Sequence, residues 1–259
     1  MKKTFNRRRF KIINFKNISY LILIFILIII GIYLYVQKKN ILKIFNESVE
    51  SFSKNFEYQF LELEVSGLDR TEEKFIKKIL TNYLSTSIFT LPLEKISSEI
   101  RENNWVKNVK IKTNYKNTVY VEILEYKPLG IYSFNNKYFY FDLRGEIIEE
   151  AKKDNIYKNN NYIIFEGKLS KLKAKSILNI LESLDFNKKY ALKKIKYIKE
   201  RRWDLILSNN IKLKLSENSP KKSLRNFINI EKNLSETEFN NIKSIDLRDI
   251  NKTFINYKI

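Results

Sequence analysis

Trp105-Val-Lys-Asn-Val-Lys-Ile-Lys-Thr113 is followed by Asn114-Tyr-Lys-Asn117 and then by Thr118-Val-Tyr-Val-Glu-Ile-Leu-Glu-Tyr-Lys-Pro128. In the first run Val109 and Ile111 alternate with Lys110 and Lys112, and in the second Val119, Val121 and Ile123 fall on every other position. Alternation with period two marks half-buried strands, because successive side chains of a strand point to opposite faces. Asn114 to Asn117 supplies a polar turn between them. Pro128 ends the second strand, since proline has no amide to give to a ladder.

Upstream, the period changes twice. Phe60-Leu-Glu-Leu-Glu-Val65 alternates like a third strand and stops at Ser66-Gly67, a turn signal. Phe75, Ile76, Ile79, Leu80 and Tyr83 then recur at helical spacing with lysines opposite, and Asp69 and Glu72 have the spacing of a capping box. Thr90 and Pro92 announce a second helix whose stripe is Leu93, Ile96 and Ile100. The order is strand, helix, helix, strand, strand. Nearer the N-terminus, Ile41, Leu42, Ile44, Phe45, Val49 and Phe52 predict a helix over residues 37–57. That helix continues out of Ile18 to Val36, nineteen residues without a charge. At about 1.5 Å per residue this run spans about 28 Å, enough to cross a bilayer once.

The flanks of the run set an expected orientation. Lys2, Lys3, Arg7, Arg8, Arg9, Lys11 and Lys16 precede it with no acid, against Lys38, Lys39 and Lys43 beyond it. Basic residues stay on the cytoplasmic side, so residues 1–17 are read as a cytoplasmic tail and the body as exported. A cleaved secretory signal is disfavoured, because Gln37-Lys-Lys-Asn-Ile-Leu-Lys43 offers no small-residue cleavage site.

Composition removes many functions. There is no cysteine and no histidine. Thiolate and imidazole zinc sites, Ser-His-Asp and Cys-His catalysis, and disulfides are therefore out. Ten of the twenty excess positive charges fall in residues 1–43, which hold no acid, leaving +10 on the rest. There lysines are scattered among acids, a pattern that suits anionic lipid or an acidic wall surface better than nucleic acid.

Residues 130–259 read as one mixed domain rich in strands. Ile131 to Phe134, Tyr138 to Asp142 and Tyr162 to Phe165 have strand composition. Leu169, Leu172, Ile177, Leu178 and Leu181 predict one helix, and Leu224, Phe227, Ile228 and Ile230 another. Phe254-Ile-Asn-Tyr257 predicts a strand whose edge amides are free to pair with a partner.

Taken together, the short strand closed by Val65-Ser-Gly67, the two helices, Trp105-Val106 with Val109, and Glu125-x-x-Pro128 resemble the polypeptide-transport-associated (POTRA) domain of the bacterial cell-division family FtsQ, called DivIB in Gram-positive bacteria. Tyr138-Phe-Tyr-Phe-Asp142-Leu-Arg-Gly145-Glu-Ile-Ile148 is similar to the passage opening the family's second domain. Arg202-Trp203-Asp-Leu-Ile-Leu207 with Ile211-Lys-Leu-Lys-Leu215 resembles its later hairpin, and Ile245-Asp246-Leu247-Arg248 its terminal motif. The implied fold is α+β, with a tail at 1–17, a transmembrane helix at 18–36, a helical linker at 37–57, a POTRA domain at 58–127 and an FtsQ-type β domain at 128–259. The implied function is a non-catalytic scaffold of the division machinery, single-pass in the cytoplasmic membrane at the septum. The implied partners are FtsB/DivIC-like and FtsL-like proteins, other divisome membrane proteins and the lipid bilayer, with no cofactor, nucleic acid or small-molecule substrate. Partner contact is expected by strand addition at Thr253, Phe254, Ile255, Asn256 and Tyr257.

Each chemical candidate has a plainer reading beside it. Asp142, just before a glycine in a hairpin, is read as an acceptor of backbone hydrogen bonds rather than a catalytic acid. Asp246 and Arg248 share a strand face and order the end of the sheet or touch a partner. Trp105 and Trp203 are core or domain-junction residues, or sugar-stacking platforms. Glu149 and Glu150 are neighbours that point apart, so they do not form the convergent pair glycan cleavage needs.

Overall fold

The computed structural model describes residues 15–153, 156 and 162–258. Most of the basic tail lies outside them. Helix α1, Phe15–Asn55, runs unbroken for 41 residues. The crossing segment and the linker expected after it are thus one rod, and among the described residues it is the one helix long and apolar enough to cross a membrane.

Next come strand β1 (Glu62–Ser66), helices α2 (Glu73–Thr81) and α3 (Leu93–Ile100), and strands β2 (Val106–Thr113) and β3 (Thr118–Glu125). The three strands form a sheet in the order β1-β3-β2. Phe60, Ile76, Leu80, Ile96, Ile100, Val119, Val121 and Ile123 are buried, which is why the two helical stripes and the alternating strand positions carry apolar residues. Gly67 has φ of +81°, and a Cβ there would land on the Ile123 carbonyl, so only glycine fits this turn.

Two helix starts differ from expectation. Helix α2 begins past Glu72, and no Asp69–Glu72 capping box opens it. The amides of Asp69, Arg70 and Thr71 donate instead to the carboxylate of Glu125, at 3.1, 2.8 and 2.8 Å. A side chain 54 residues away took the role, which no local spacing could reveal. Thr90 likewise gives its hydroxyl to Glu50 at 2.7 Å rather than opening α3.

Burial alone pushes the Glu125 carboxyl up, but the three amides together outweigh it and hold its pKa below the ordinary glutamate value. A depressed carboxylate contributes stability that is full above the unfolded pKa and is lost as pH falls through the folded one. Glu125→Gln is therefore expected to cost about 2 kcal/mol at neutral pH, the scale of hydrogen bonds to a charged group. Denaturant melts should show this gap closing in acid, and a gap that persists there would show that the charge does not matter.

From residue 130 the chain builds a second sheet, of nine strands. They are β4 (Gly130–Phe134), β5 (Lys137–Phe141), β6 (Ile147–Glu150), β7 (Ile164–Glu166), β8 (Leu192–Ile198), β9 (Arg202–Leu207), β10 (Lys212–Leu215), β11 (Ile242–Leu247) and β12 (Phe254–Tyr257). Their order is β12-β11-β10-β9-β8-β7-β4-β5-β6. Pairs β4/β7, β7/β8 and β10/β11 are parallel and the others antiparallel. Parallel neighbours need a crossover. Helix α4 (Ser170–Glu182) and the short α5 (Phe186–Lys189) supply it between β7 and β8; α6 (Pro220–Glu231) and α7 (Glu236–Asn240) supply it between β10 and β11.

One face of this sheet carries the core. Phe165, Ile195, Leu205, Leu213 and Ile245 pack there with Ala174, Ile177 and Leu181 of α4 and Leu224 and Phe227 of α6. The buried line of α4 runs Ser170, Ala174, Ile177, Leu181. Leu172, expected in that stripe, is 51% exposed because it lies two residues, about 200°, round the helix from Ser170.

By contact density the chain divides into residues 1–64, 77–94 and 111–120, and residues 65–76, 95–110 and 121–259. In the first, α1 is fixed by Glu50, which accepts from the Ser87 amide at 2.9 Å, and by the hydroxyls of Ser53 and Ser87, 2.6 Å apart. In the second, Arg70 lies over three rings, 4.3 Å from the centre of Trp105, 4.8 Å from Tyr140 and 5.7 Å from Tyr162.

Candidate functional site

The resemblance puts partner contact at β12, so the site begins with what holds that strand. It pairs antiparallel with β11: Asp246 faces Phe254, Ile245 faces Ile255, Ser244 faces Asn256 and Ile242 faces Tyr257, with a register shift between Ile242 and Ser244. Ile255 turns inward and rests on the main core. Asn256 donates to the Ser244 hydroxyl at 3.1 Å, and the Lys258 amide to the Asn241 carbonyl at 2.8 Å. Among the described residues no strand lies beyond β12 in the order, so half of its backbone groups face outward. Thr253 leads into the strand, and Phe254 and Tyr257 are 61% and 46% exposed.

Behind Phe254 the open face of the sheet carries a row that register alone creates. Glu166 of β7 stands opposite Lys196 of β8, Lys196 opposite Asp204 of β9, Asp204 opposite Lys214 of β10, Lys214 opposite Asp246 of β11, and Asp246 opposite Phe254. Charges alternate along the row, which is favourable for directly opposed side chains. Glu166 accepts from Lys194 at 2.8 Å and Lys196 at 2.7 Å. Asp204, wholly buried, lies 3.1 Å from Lys212 Nζ and 3.3 Å from Arg202 Nε.

Asp246 closes the row. Arg248 donates to it from Nε at 2.8 Å and Nη2 at 2.7 Å, and Lys214 from 3.4 Å. Burial pushes its carboxyl up, but these partners, Arg248 foremost, hold it below the ordinary aspartate value. The Arg248 side chain remains half exposed while it holds Asp246, the residue opposite Phe254. What the edge offers is unpaired backbone, two exposed rings and a braced guanidinium.

The other named residues lie away from the edge. Trp105 is buried, with its indole N–H donating to Glu149, while Glu150 pairs with Lys137 at 3.3 Å, so these two acids serve separate partners. Val106 is buried beside Trp105 in the sequence, and Pro128 sits half-buried in the connector from β3 to β4. Trp203 is a core residue, 4.4 Å from Tyr197 and 6.5 Å from Phe165 between ring centres. Asp142 accepts from the Arg144 and Glu146 amides, both at 2.9 Å, and Gly145, at φ +82°, lies against Leu172. Among the described residues no cluster of three or more acids could hold a metal.

Residues 60–126 match the family model of the FtsQ-type POTRA domain, and residues 131–248 that of the cell-division protein FtsQ/DivIB, C-terminal part. The chain is 31% identical over 192 residues to the cell-division protein FtsQ of Rickettsia typhi, covering 74% of this chain and 70% of that one. The chain belongs to the FtsQ/DivIB family of cell-division proteins. FtsQ of Rickettsia prowazekii is 30% identical over 191 residues, covering 74% and 69%, and FtsQ of Bartonella bacilliformis 25% identical over 189. The family is one of division scaffolds that are generally not enzymes, and its partners are membrane proteins of the divisome. The α+β architecture of apolar helix, POTRA domain and strand-rich domain with helices agrees with that assignment. The C-terminal match stops at Arg248, the side chain that braces Asp246, and β12 lies just beyond it.

Proposed function

We propose that this chain is a non-catalytic, single-pass scaffold that captures FtsB/DivIC-like and FtsL-like proteins and thereby helps control septal peptidoglycan synthesis. Its N-terminus is cytoplasmic and its body extracytoplasmic, at the septum. The observation that carries the reading is the free edge of β12 with Phe254 and Tyr257 exposed on it. A partner segment added as a tenth strand gains main-chain hydrogen bonds, and side chains at alternate positions choose among partners. Arg248, bound to the Asp246 that stands opposite Phe254, favours a segment with a carboxylate at whichever end lies by Phe254.

The test is site-specific photo-crosslinking in dividing cells at Phe254 and Tyr257, with mass identification of what is captured. A small single-pass division protein is expected. Capture of exported or outer-membrane polypeptides would overturn the reading in favour of an export role.

A further inference from the structure

By sequence, residues 65–76 and 95–110 fall before Pro128, among the elements that resemble a POTRA domain. By contact density they group instead with residues 121–259. A cluster of side chains centred on Arg70 accounts for the grouping. Trp105 stands just before β2, Tyr140 lies in β5 and Tyr162 comes just before β7, so the three rings arrive from separate parts of the chain. Between centres, Trp105 and Tyr140 are 5.2 Å apart and Tyr140 and Tyr162 5.7 Å. The Arg70 guanidinium lies over all three, and its Nη2 donates to the Tyr162 hydroxyl at 3.3 Å. A planar cation suits such a site, since it stacks on ring faces and keeps its edge for hydrogen bonds.

The backbone at Arg70 is fixed from the other direction. Glu125, three residues before Pro128, grips the amides of Asp69, Arg70 and Thr71. The connector that follows is tied at both ends: the Tyr126 amide donates to the Trp105 carbonyl at 2.9 Å and the Leu129 amide to the Phe141 carbonyl at 2.8 Å. The Trp105 indole donates to Glu149 of β6. Arg70 therefore spans the connector, with its main chain held to the end of β3 and its side chain to β5 and the approach to β7.

Unlike a buried ion pair, this contact uses no acid: among the described residues the partners that favour the Arg70 cation are the hydroxyls of Tyr140 and Tyr162, with the rings beneath. Arg70 keeps solvent on its outer side while Trp105 below it is 6% exposed. A cation seated on rings at a solvent-facing site is held modestly and leaves no unpaired acid behind when it departs. Such a contact opens and closes without unfolding the parts it joins.

We propose that Arg70 is a conformational latch, closed in this structure, that joins residues 65–76 and 95–110 to the strand-rich domain as one body. Opening it turns Tyr126–Leu129 into a hinge, because a few residues between two folded parts are enough to absorb the rotation.

The chain has no native cysteine, so spin labels go only where cysteines are introduced. The full-length chain in detergent, carrying Glu102→Cys and Lys222→Cys, places one label in residues 95–110 and the other on α6. Pulsed dipolar electron paramagnetic resonance should give one narrow distance distribution. Adding Arg70→Ala is expected to widen it at least about twofold, and Arg70→Lys, which keeps the charge but loses planar stacking, to widen it part of the way. Tyr140→Leu removes the middle ring and should widen it with Arg70 intact. The pair Asn187→Cys with Lys222→Cys, both inside the strand-rich domain, should stay narrow in every variant, which separates an open latch from unfolding. A parent distribution that is already broad, an Arg70→Ala chain as narrow as the parent, or equal broadening of both label pairs would overturn the proposal. No partner protein is present, so the outcome does not depend on how β12 is used.

Discussion

A chain ending at Arg248 is expected to bind its division partner at least about a hundredfold more weakly while still melting cooperatively. The expected loss follows from what β12 supplies. Exposed aromatic anchors at an interface are typically worth about 2 kcal/mol or more each when truncated, and every 1.4 kcal/mol is a factor of ten. Phe254 and Tyr257 alone would account for more than a hundredfold before any backbone pairing is counted. The folding cost is smaller, because of the four strand residues Ile255 is the one that rests on the core. Calorimetry of the full chain in detergent with the captured partner measures the first effect, and denaturant melts measure the second. The double change Phe254→Ala with Tyr257→Ala keeps the strand and isolates the rings. If truncation leaves affinity intact, the contact is elsewhere on the chain.

How much of this was legible in the sequence depends on distance along the chain. Local periodicity marks α2, α3, β2, β3 and α6, because each buries one face and each face repeats at its own period, while β4 is marked by strand composition alone. It fails where the partner is far away. Asp69 and Glu72 have the spacing of a capping box, yet Glu125 satisfies the amides there. Leu172 has the composition of a core residue, yet the register of α4 is set by Ser170, Ala174, Ile177 and Leu181. Strand β8 was not anticipated, since Leu192-Lys-Lys-Ile-Lys-Tyr-Ile198 reads as a basic stretch with no clean alternation. Of the edge, the residues of β12 and the Asp246–Arg248 pair were readable. The charged row behind it was not, because Glu166, Lys196, Asp204 and Lys214 come from four strands and meet only through register.

That row sets the largest expected loss of stability, at Asp204→Ala. Asp204 has no exposed surface, and its carboxylate lies between Arg202 and Lys212 in the middle of the sheet. Removing one member of a buried pair leaves the other charges without compensation and typically costs about 3–5 kcal/mol. A domain's whole stability is about 5–15 kcal/mol, so the variant should lose a large share of it and melt at a clearly lower urea concentration. Lys212, with its side chain 39% exposed, can swing toward water, so Lys212→Met should cost far less than Asp204→Ala. The double variant should recover part of the loss, because the cation that Asp204 had neutralised is then gone. Urea melts of the three chains give the coupling directly. If Asp204→Ala is nearly as stable as the parent, the row does not hold the sheet together, and β11 with Asp246 must be kept in register by the core face alone.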